Sequence, residues 1–469
     1  MKVEQIYTGC LAEAAYYIES KGEVVVIDPL RESDPYLERL KRDGASLKYV
    51  LETHFHADFV SGHLDLAQKT GATIVYGPTA APNFKAYTAS DEEILKVGDI
   101  QIKVLHTPGH TMESTTYLLI DQDGKDYAIF TGDTLFLGDV GRPDLAVKSD
   151  LSREDLAGLL YDSLRNKIMP LADEVIVYPG HGAGSACGKK MSCETTGLLG
   201  EQKEFNYALR PDMSRAEFVK EVTDGLVDPP QYFPKNAVLN KMGYESLDQI
   251  RARGLQALSV RAFKAAWAEE EALVLDTRQK TVFTKGFIPG AIFIGLDGSF
   301  AMWVGALILD LKQPILFIAD PGRENEVVTR LARVGYDNAI GYLEGGFEAW
   351  TAANEEVDQV KDITPEELVE LMKKQDINLL DARKASEYST QHMLGAENFP
   401  LDFINRNIAQ LKTDASYYLY CASGYRSVIM ASILKSRGYD QVVNVIGGFK
   451  ALLETDLPTS QFEEQITEL

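Results

Sequence analysis

The chain has 469 residues, 45% hydrophobic and 25% charged, which at roughly 150 residues per domain predicts about three domains. Its 47 basic against 70 acidic residues leave a formal charge of −23, which would repel nucleic acid and anionic membranes alike. Four cysteines rule out a disulfide framework, no apolar run nears the roughly 20 residues of a membrane helix, and no signal peptide is visible, so a cytoplasmic protein is expected.

In chain order, Val24 to Ile27 is an apolar run closed by the turn signal Asp28-Pro29, as expected of a buried strand. Leu47 to Thr53 is a second strand candidate, followed by a helix from about Val60 to Thr70 that Gly71 ends. Ile100, Ile102 and Val104 alternate as a half-buried strand does. Tyr117 to Asp121, Tyr127 to Thr131 and Glu174 to Tyr178 read as further strands. Residues 195–245 are mostly helical, with breaks expected at Asp228-Pro229-Pro230 and Phe233-Pro234.

The rest contains an internal repeat. Leu273-Val274-Leu275-Asp276-Thr277-Arg278 parallels Leu379-Leu380-Asp381-Ala382-Arg383, and Gly286 to Ala291 parallels Gln391 to Ala396. Arg323 and Arg426 each precede a Gly-Tyr-Asp by the same interval, and Gly345-Gly346-Phe347 parallels Gly447-Gly448-Phe449. Four matches in one order predict two copies of an α/β domain. The expected division is 1–244, 245–355 and 360–469.

Six of the seven histidines precede residue 182. His54-x-His56-x-Asp58, His110, Asp133 and His181 each follow a predicted strand on a separate loop, the usual way a rigid sheet presents reactive groups. One such histidine alone is more often structural, but the joint pattern points to a metal site. His63 and His106 are read as a helix-face residue and a loop neighbour, and Cys10 as a small buried hydrophobe.

Thr53-His54-Phe55-His56-Ala57-Asp58, Thr107-Pro108-Gly109-His110, Thr131-Gly132-Asp133-Thr134 and Pro179-Gly180-His181-Gly182 together resemble the metallo-β-lactamase superfamily. The resemblance implies an αββα sandwich. The His-Ala-Asp variant and Gly138-Asp139-Val140-Gly141-Arg142-Pro143-Asp144 are most similar to persulfide dioxygenases. Where hydrolases of the superfamily carry a histidine after the motif aspartate, this chain has Phe59, which removes a ligand from a second metal site. The resemblance implies one Fe(II) per chain, with zinc as the other candidate, held by His54, His110 and Asp133. His56, Asp58 and His181 then orient ligands or substrate or supply a fourth ligand. Arg142 is a candidate anchor for an acidic thiol carrier, and Cys187, between small residues and near Lys189 and Lys190, a candidate thiolate at the pocket rim.

Downstream, Tyr418 to Ser427 reads as strand, short loop and helix start, with Cys421 at the strand end. Loop amides and the helix dipole stabilise a thiolate there, and Arg426 adds a positive charge. Cys421-x₄-Arg426, with Asp381-x-Arg383 and Glu387-Tyr388, resembles rhodanese sulfurtransferases. That implies Cys421 and Arg426 as catalytic residues, and Ser423, Gly424 and Tyr425 as the substrate-binding loop. The middle copy has Ala319-Asp320-Pro321-Gly322-Arg323 there, one residue shorter and without a cysteine, so it is expected to be inactive.

The expected activity is oxidation of a persulfide of glutathione, coenzyme A or another thiol by O2 to sulfite, with Cys421 passing sulfur on to form thiosulfate. The expected partners are therefore small molecules (persulfide, O2 and sulfite), with no nucleic acid or membrane, and a homo-oligomer is expected. A thioester hydrolase resembling glyoxalase II, or a persulfide-sensing module, are the rival readings.

Overall fold

The computed structural model describes residues 1–145 and 151–463, and the backbone divides into two compact units close to Leu247. The first unit holds two six-stranded sheets. One comprises β1 (Lys2–Thr8), β2 (Glu13–Ser20), β3 (Glu23–Ile27), β4 (Ser46–Glu52), β5 (Thr73–Tyr76) and β6 (Tyr87–Thr88), in that order. The other comprises β7 (Ile94–Val97), β8 (Ile100–His106), β9 (Thr115–Ile120), β10 (Asp126–Gly132), β11 (Ile176–Pro179) and β12 (Gly197–Leu198), again in sequence order across the sheet.

Strand alternation explains the layers. Tyr16, Ile18, Val25 and Ile27 of the first sheet meet Ile100, Ile102, Tyr117, Leu119 and Phe130 of the second in one buried cluster. The intervening Ala15, Tyr17, Val24 and Val26 point the other way, onto Tyr36 and Leu40 of the helix Asp34–Asp43. On the far side, Leu118, Ile129 and Val177 pack on Ala157 and Leu160 of the helix Arg153–Ser163. Helix, sheet, sheet and helix make the αββα sandwich.

Two sequence expectations shift. The helix read from Val60 begins at His63, and Phe233-Pro234 starts a helix (Phe233–Met242) rather than breaking one. Proline in the first helical turn loses no hydrogen bond there, because its missing N–H would have had no partner in the helix.

In the second unit each repeat builds a five-stranded parallel sheet. The strands are β13 (Ala257–Leu258), β14 (Leu273–Asp276), β15 (Ile292–Phe293), β16 (Ile315–Ile318) and β17 (Ala339–Leu343), ordered β13-β17-β16-β14-β15. The second copy, β18 (Lys361–Ile363), β19 (Asn378–Asp381), β20 (Ala396–Asn398), β21 (Tyr417–Tyr420) and β22 (Val442–Val445), repeats that order as β18-β22-β21-β19-β20. The matched Asp-x-Arg motifs have one structural job. Arg278 grips Asp276 with Nη2 to Oδ2 at 2.6 Å, and Arg383 grips Asp381 at the same distance. Each guanidinium also donates to a carbonyl eight residues on, Gly286 or Gln391, and lies over Phe347 or Phe449. No helix among the described residues is long and apolar enough to cross a membrane.

Candidate functional site

In the first unit the loops after β4, β8 and β10 bring His54, His110 and Asp133 together, with one ligand atom from each within 4.8 Å of the others and all three buried. His110 Nε2 stands 3.4 Å and His54 Nε2 4.0 Å from Asp133 Oδ2. Glycines permit this closeness: a Cβ on Gly141 would lie 1.9 Å from the Asp133 carbonyl oxygen, and one on Gly180 2.8 Å from Asp133 Oδ1.

Hydrogen bonds assign the tautomers. His110 Nδ1 lies 2.8 Å from the Arg142 carbonyl, which can only accept, so Nδ1 carries a proton and Nε2 is the nitrogen left for the centre. Thr53 Oγ1 donates to Asp28 Oδ2 at 2.8 Å, so at 3.0 Å from His54 Nδ1 it accepts. That leaves His54 Nε2 free for the centre as well. His110 Nε2 and Asp133 Oδ2 are buried without a hydrogen-bond partner. Such orphaned acceptors are costly unless a cation meets them, so the donor set fits a metal ion.

His181 has a different place. Its Nδ1 is 2.7 Å from Asp133 Oδ1 and its Nε2 2.7 Å from Asp58 Oδ2. Both ring nitrogens face carboxylates and must both donate. Burial alone would depress this histidine, but Asp133 and Asp58 hold it well above the usual imidazole range. His181 is thus an imidazolium clamp on two aspartates, with no lone pair for a metal. His56 likewise leaves the triad and groups with Asp28 and Glu52, its Nε2 3.0 Å from Asp28 Oδ1 and its ring on Phe59 at 4.3 Å. The Asp28–Glu52 network escaped the sequence reading; the aspartate closing the apolar run Val24–Ile27 was its one signal.

Two expected roles are corrected. The Arg142 fork is spent on Asp144 (2.6 and 2.8 Å) and on the carbonyls of Ala186 and Val227, so its side chain is a strut, not a substrate anchor. Cys187 is buried beside Asp58 and His181, not at a rim. Lys189 points its ammonium at the carbonyls of Glu221 and Asp224. Burial first, then Asp133 and Asp58, push the Cys187 thiol well up, against the expected thiolate. Cys10, expected buried, is half-buried, and Cys193 is exposed. His63 does lie on a helix, buried against Phe84, where burial brings it down to about 3.

In the second unit Cys421 directly follows β21, in the short loop before the helix Tyr425–Ser436. The Gly424 N–H donates to its Sγ at 3.1 Å, and Ser427 Oγ, a neighbour the sequence reading missed, lies 3.7 Å away. Gly448 makes room for the loop, since a Cβ there would fall 2.2 Å from the Cys421 carbonyl oxygen. Arg426 is engaged by both oxygens of Glu387 at 2.6 and 2.8 Å. Burial would raise that carboxyl, but Arg426 holds it below its usual range. Ser423 turns its carbonyl to Lys280, and Tyr425 turns its hydroxyl away to the Gly295 carbonyl, so the tyrosine side chain is not part of the substrate loop. In the middle copy Gly322 shares the left-handed φ of Gly424 (+84° and +91°), but Arg323 is drawn to Asp297 and Glu326.

The metallo-β-lactamase superfamily model matches residues 8–181, and the rhodanese-like domain model matches 259–353 and 364–455. A metallo-β-lactamase from Staphylococcus aureus subsp. aureus COL is similar, with 30% identity and a TM-score of 0.63, covering 73% of this chain and 98% of that one. The hydroxyacylglutathione hydrolase GloC of Haemophilus influenzae is 30% identical over 194 residues, 37% of this chain and 86% of that protein. The probable hydroxyacylglutathione hydrolase glo2 of Schizosaccharomyces pombe is 35% identical over 144 residues, 31% of this chain. The chain spans only about half the length of that relative, 52%. A sandwich with a buried His-His-Asp centre and a duplicated Asp-x-Arg sheet domain accounts for both matches: the chain belongs to the metallo-β-lactamase superfamily, and its sandwich is followed by two rhodanese-like domains.

Proposed function

We propose that the chain oxidises small-molecule persulfides with O2 to sulfite at a single iron, and that Cys421 transfers sulfane sulfur, forming thiosulfate with that sulfite. One observation carries the reading: two imidazoles and one carboxylate converge, while the neighbouring His181 is committed to two aspartates and Phe59 stands where another ligand would be. Two histidines and a carboxylate with open positions are the donor set of non-haem iron oxygenases. His54, His110 and Asp133 would hold the metal, which would supply the redox chemistry for the reaction of a persulfide with O2.

The chain's own residues do the rest. Arg142 and Thr53 fix the two imidazole rings and keep their Nε2 lone pairs inward. His181 holds Asp133 through Oδ1, leaving Oδ2 for the ion. The overall change balances as RSSH + O2 + H2O → RSH + SO3²⁻ + 2H⁺. The thiol carrier is a small molecule such as glutathione or coenzyme A, and a homo-oligomer remains part of this proposal.

A second reading is favoured by the names of the relatives, hydroxyacylglutathione hydrolases. Asp58, His181 and Cys187 form a buried group beside the triad that could hold a second ion once His181 loses a proton. Metal content and oxygen uptake of anaerobically prepared protein with glutathione persulfide separate the two. One iron per chain with stoichiometric O2 consumption supports the dioxygenase. Two metals, no O2 uptake and thioester hydrolysis defeat it.

A further inference from the structure

Lys280 belongs to the copy without a cysteine, yet its Nζ donates to the Ser423 carbonyl at 2.6 Å, inside the Cys421 loop of the other copy. Three further contacts hold the two copies in that register. Tyr425 Oη donates to the Gly295 carbonyl at 2.7 Å, the Phe293 N–H donates to Ser432 Oγ at 2.9 Å, and the Asn405 amide donates to the Leu307 carbonyl at 2.9 Å. Gly298 is what admits the tyrosine, because a Cβ there would fall 2.3 Å from its ring.

The charges around the loop differ in kind. Arg426 is neutralised by the two-pronged contact with Glu387. Lys280 has no carboxylate partner among the described residues, and a Cβ placed on Gly424 would be 3.4 Å from its Nζ. Architecture does not require a cation there: counting from Asp276 and Asp381, the same place in the other copy is Ala385.

We infer that Lys280 is a specificity residue for the Cys421 loop, lent by the cysteine-free copy to draw in an anionic sulfur acceptor. The inference rests on the sulfurtransferase reading above. In the step concerned, the sulfite sulfur lone pair attacks the outer sulfur of the Cys421 persulfide. A new S–S bond forms as the old one breaks, and its electron pair stays on Sγ: Cys–S–S⁻ + SO3²⁻ → Cys–S⁻ + S2O3²⁻. Both reactants are anions, on a chain whose formal charge is −23, so an uncompensated ammonium at the loop lowers their repulsion.

The test compares alkylation of Cys421 by anionic iodoacetate and neutral iodoacetamide in the full chain, read at that residue by peptide mass spectrometry. Lys280→Gln should slow iodoacetate by roughly 3-fold to 10-fold at low salt and leave iodoacetamide unchanged. Lys280→Arg should restore the rate, and molar salt should erase the difference. In sulfur transfer to sulfite, Lys280→Gln should raise KM by a similar factor with kcat held. An iodoacetate-to-iodoacetamide ratio that Lys280→Gln leaves unchanged overturns the inference. If Cys421→Ser transfers sulfur as well as the natural chain, the sulfurtransferase reading falls instead, whatever the alkylation ratio shows.

Discussion

His181 and Asp133 are joined by a 2.7 Å hydrogen bond from Nδ1 to Oδ1, and this bond decides which carboxylate oxygen faces the centre. With Oδ1 taken, Oδ2 is left buried and unpartnered beside the His110 and His54 Nε2 atoms. His181 also reaches Asp58, so one ring orients two acids.

Replacing His181 with phenylalanine should therefore act twice. Two buried carboxylates lose their counter-charge, and breaking such a group costs about 3–5 kcal/mol of stability. Metal affinity should fall about 10–100-fold, because the ligand loses its orienting partner. Urea unfolding and metal analysis at graded free iron check both outcomes. Unchanged metal binding would show that Asp133 does not depend on His181.

Thr53→Val keeps the shape of the side chain but breaks the relay from Asp28 through Thr53 to His54 Nδ1. Metal affinity should drop about 10–100-fold, and Thr53→Ser should recover most of it. Equal affinity in the valine and serine variants would mean the hydroxyl does not set the His54 tautomer.

Gly141→Ala forces a methyl to 1.9 Å from the Asp133 carbonyl oxygen. The loop must shift, at a cost of about 1–3 kcal/mol, and the metal ligands move with it. Gly9→Ala is the control: nothing lies within 4 Å of its Cβ position, and stability should change by less than about 0.5 kcal/mol. Thermal denaturation of the two variants side by side reads the difference.

Gly448→Ala and Gly346→Ala compare equivalent positions of the two copies. Both have left-handed φ, but the added Cβ meets the Cys421 backbone carbonyl at 2.2 Å in one and only the flexible Glu348 carboxylate at 3.2 Å, with the Ala319 carbonyl at 3.8 Å, in the other. Gly448→Ala should abolish sulfur transfer and cost more stability than Gly346→Ala, by about 1–3 kcal/mol. Sulfurtransferase assays and unfolding midpoints check this.

Cys421→Ser should leave persulfide oxidation intact and change its product from thiosulfate to sulfite. Ion chromatography of the products measures it, and undiminished thiosulfate would remove Cys421 from the route.

The one-dimensional pattern carried the repeat and the candidate residues, and the layers followed from its resemblance to the metallo-β-lactamase superfamily. The apolar run Val24–Ile27 reads as a strand buried on both faces, the alternation of Ile100, Ile102 and Val104 as one half-buried, and a histidine or aspartate just past a strand end can only lie on a loop. Matched Asp-x-Arg and Gly-Gly-Phe segments marked a duplicated fold because each fills one geometric need in both copies. Only the tertiary structure decided what each candidate does. His54, His56, His110 and His181 are equivalent as letters; their neighbours across the sheets turn Nε2 of two of them toward Asp133, make one a companion of Asp28 and one an imidazolium. The same holds for Arg142, taken up by Asp144, and for Lys280, which meets Ser423 across 143 residues of sequence. Protonation and charge pairing are set by atoms a few ångströms apart in space, and chain spacing holds no record of those distances.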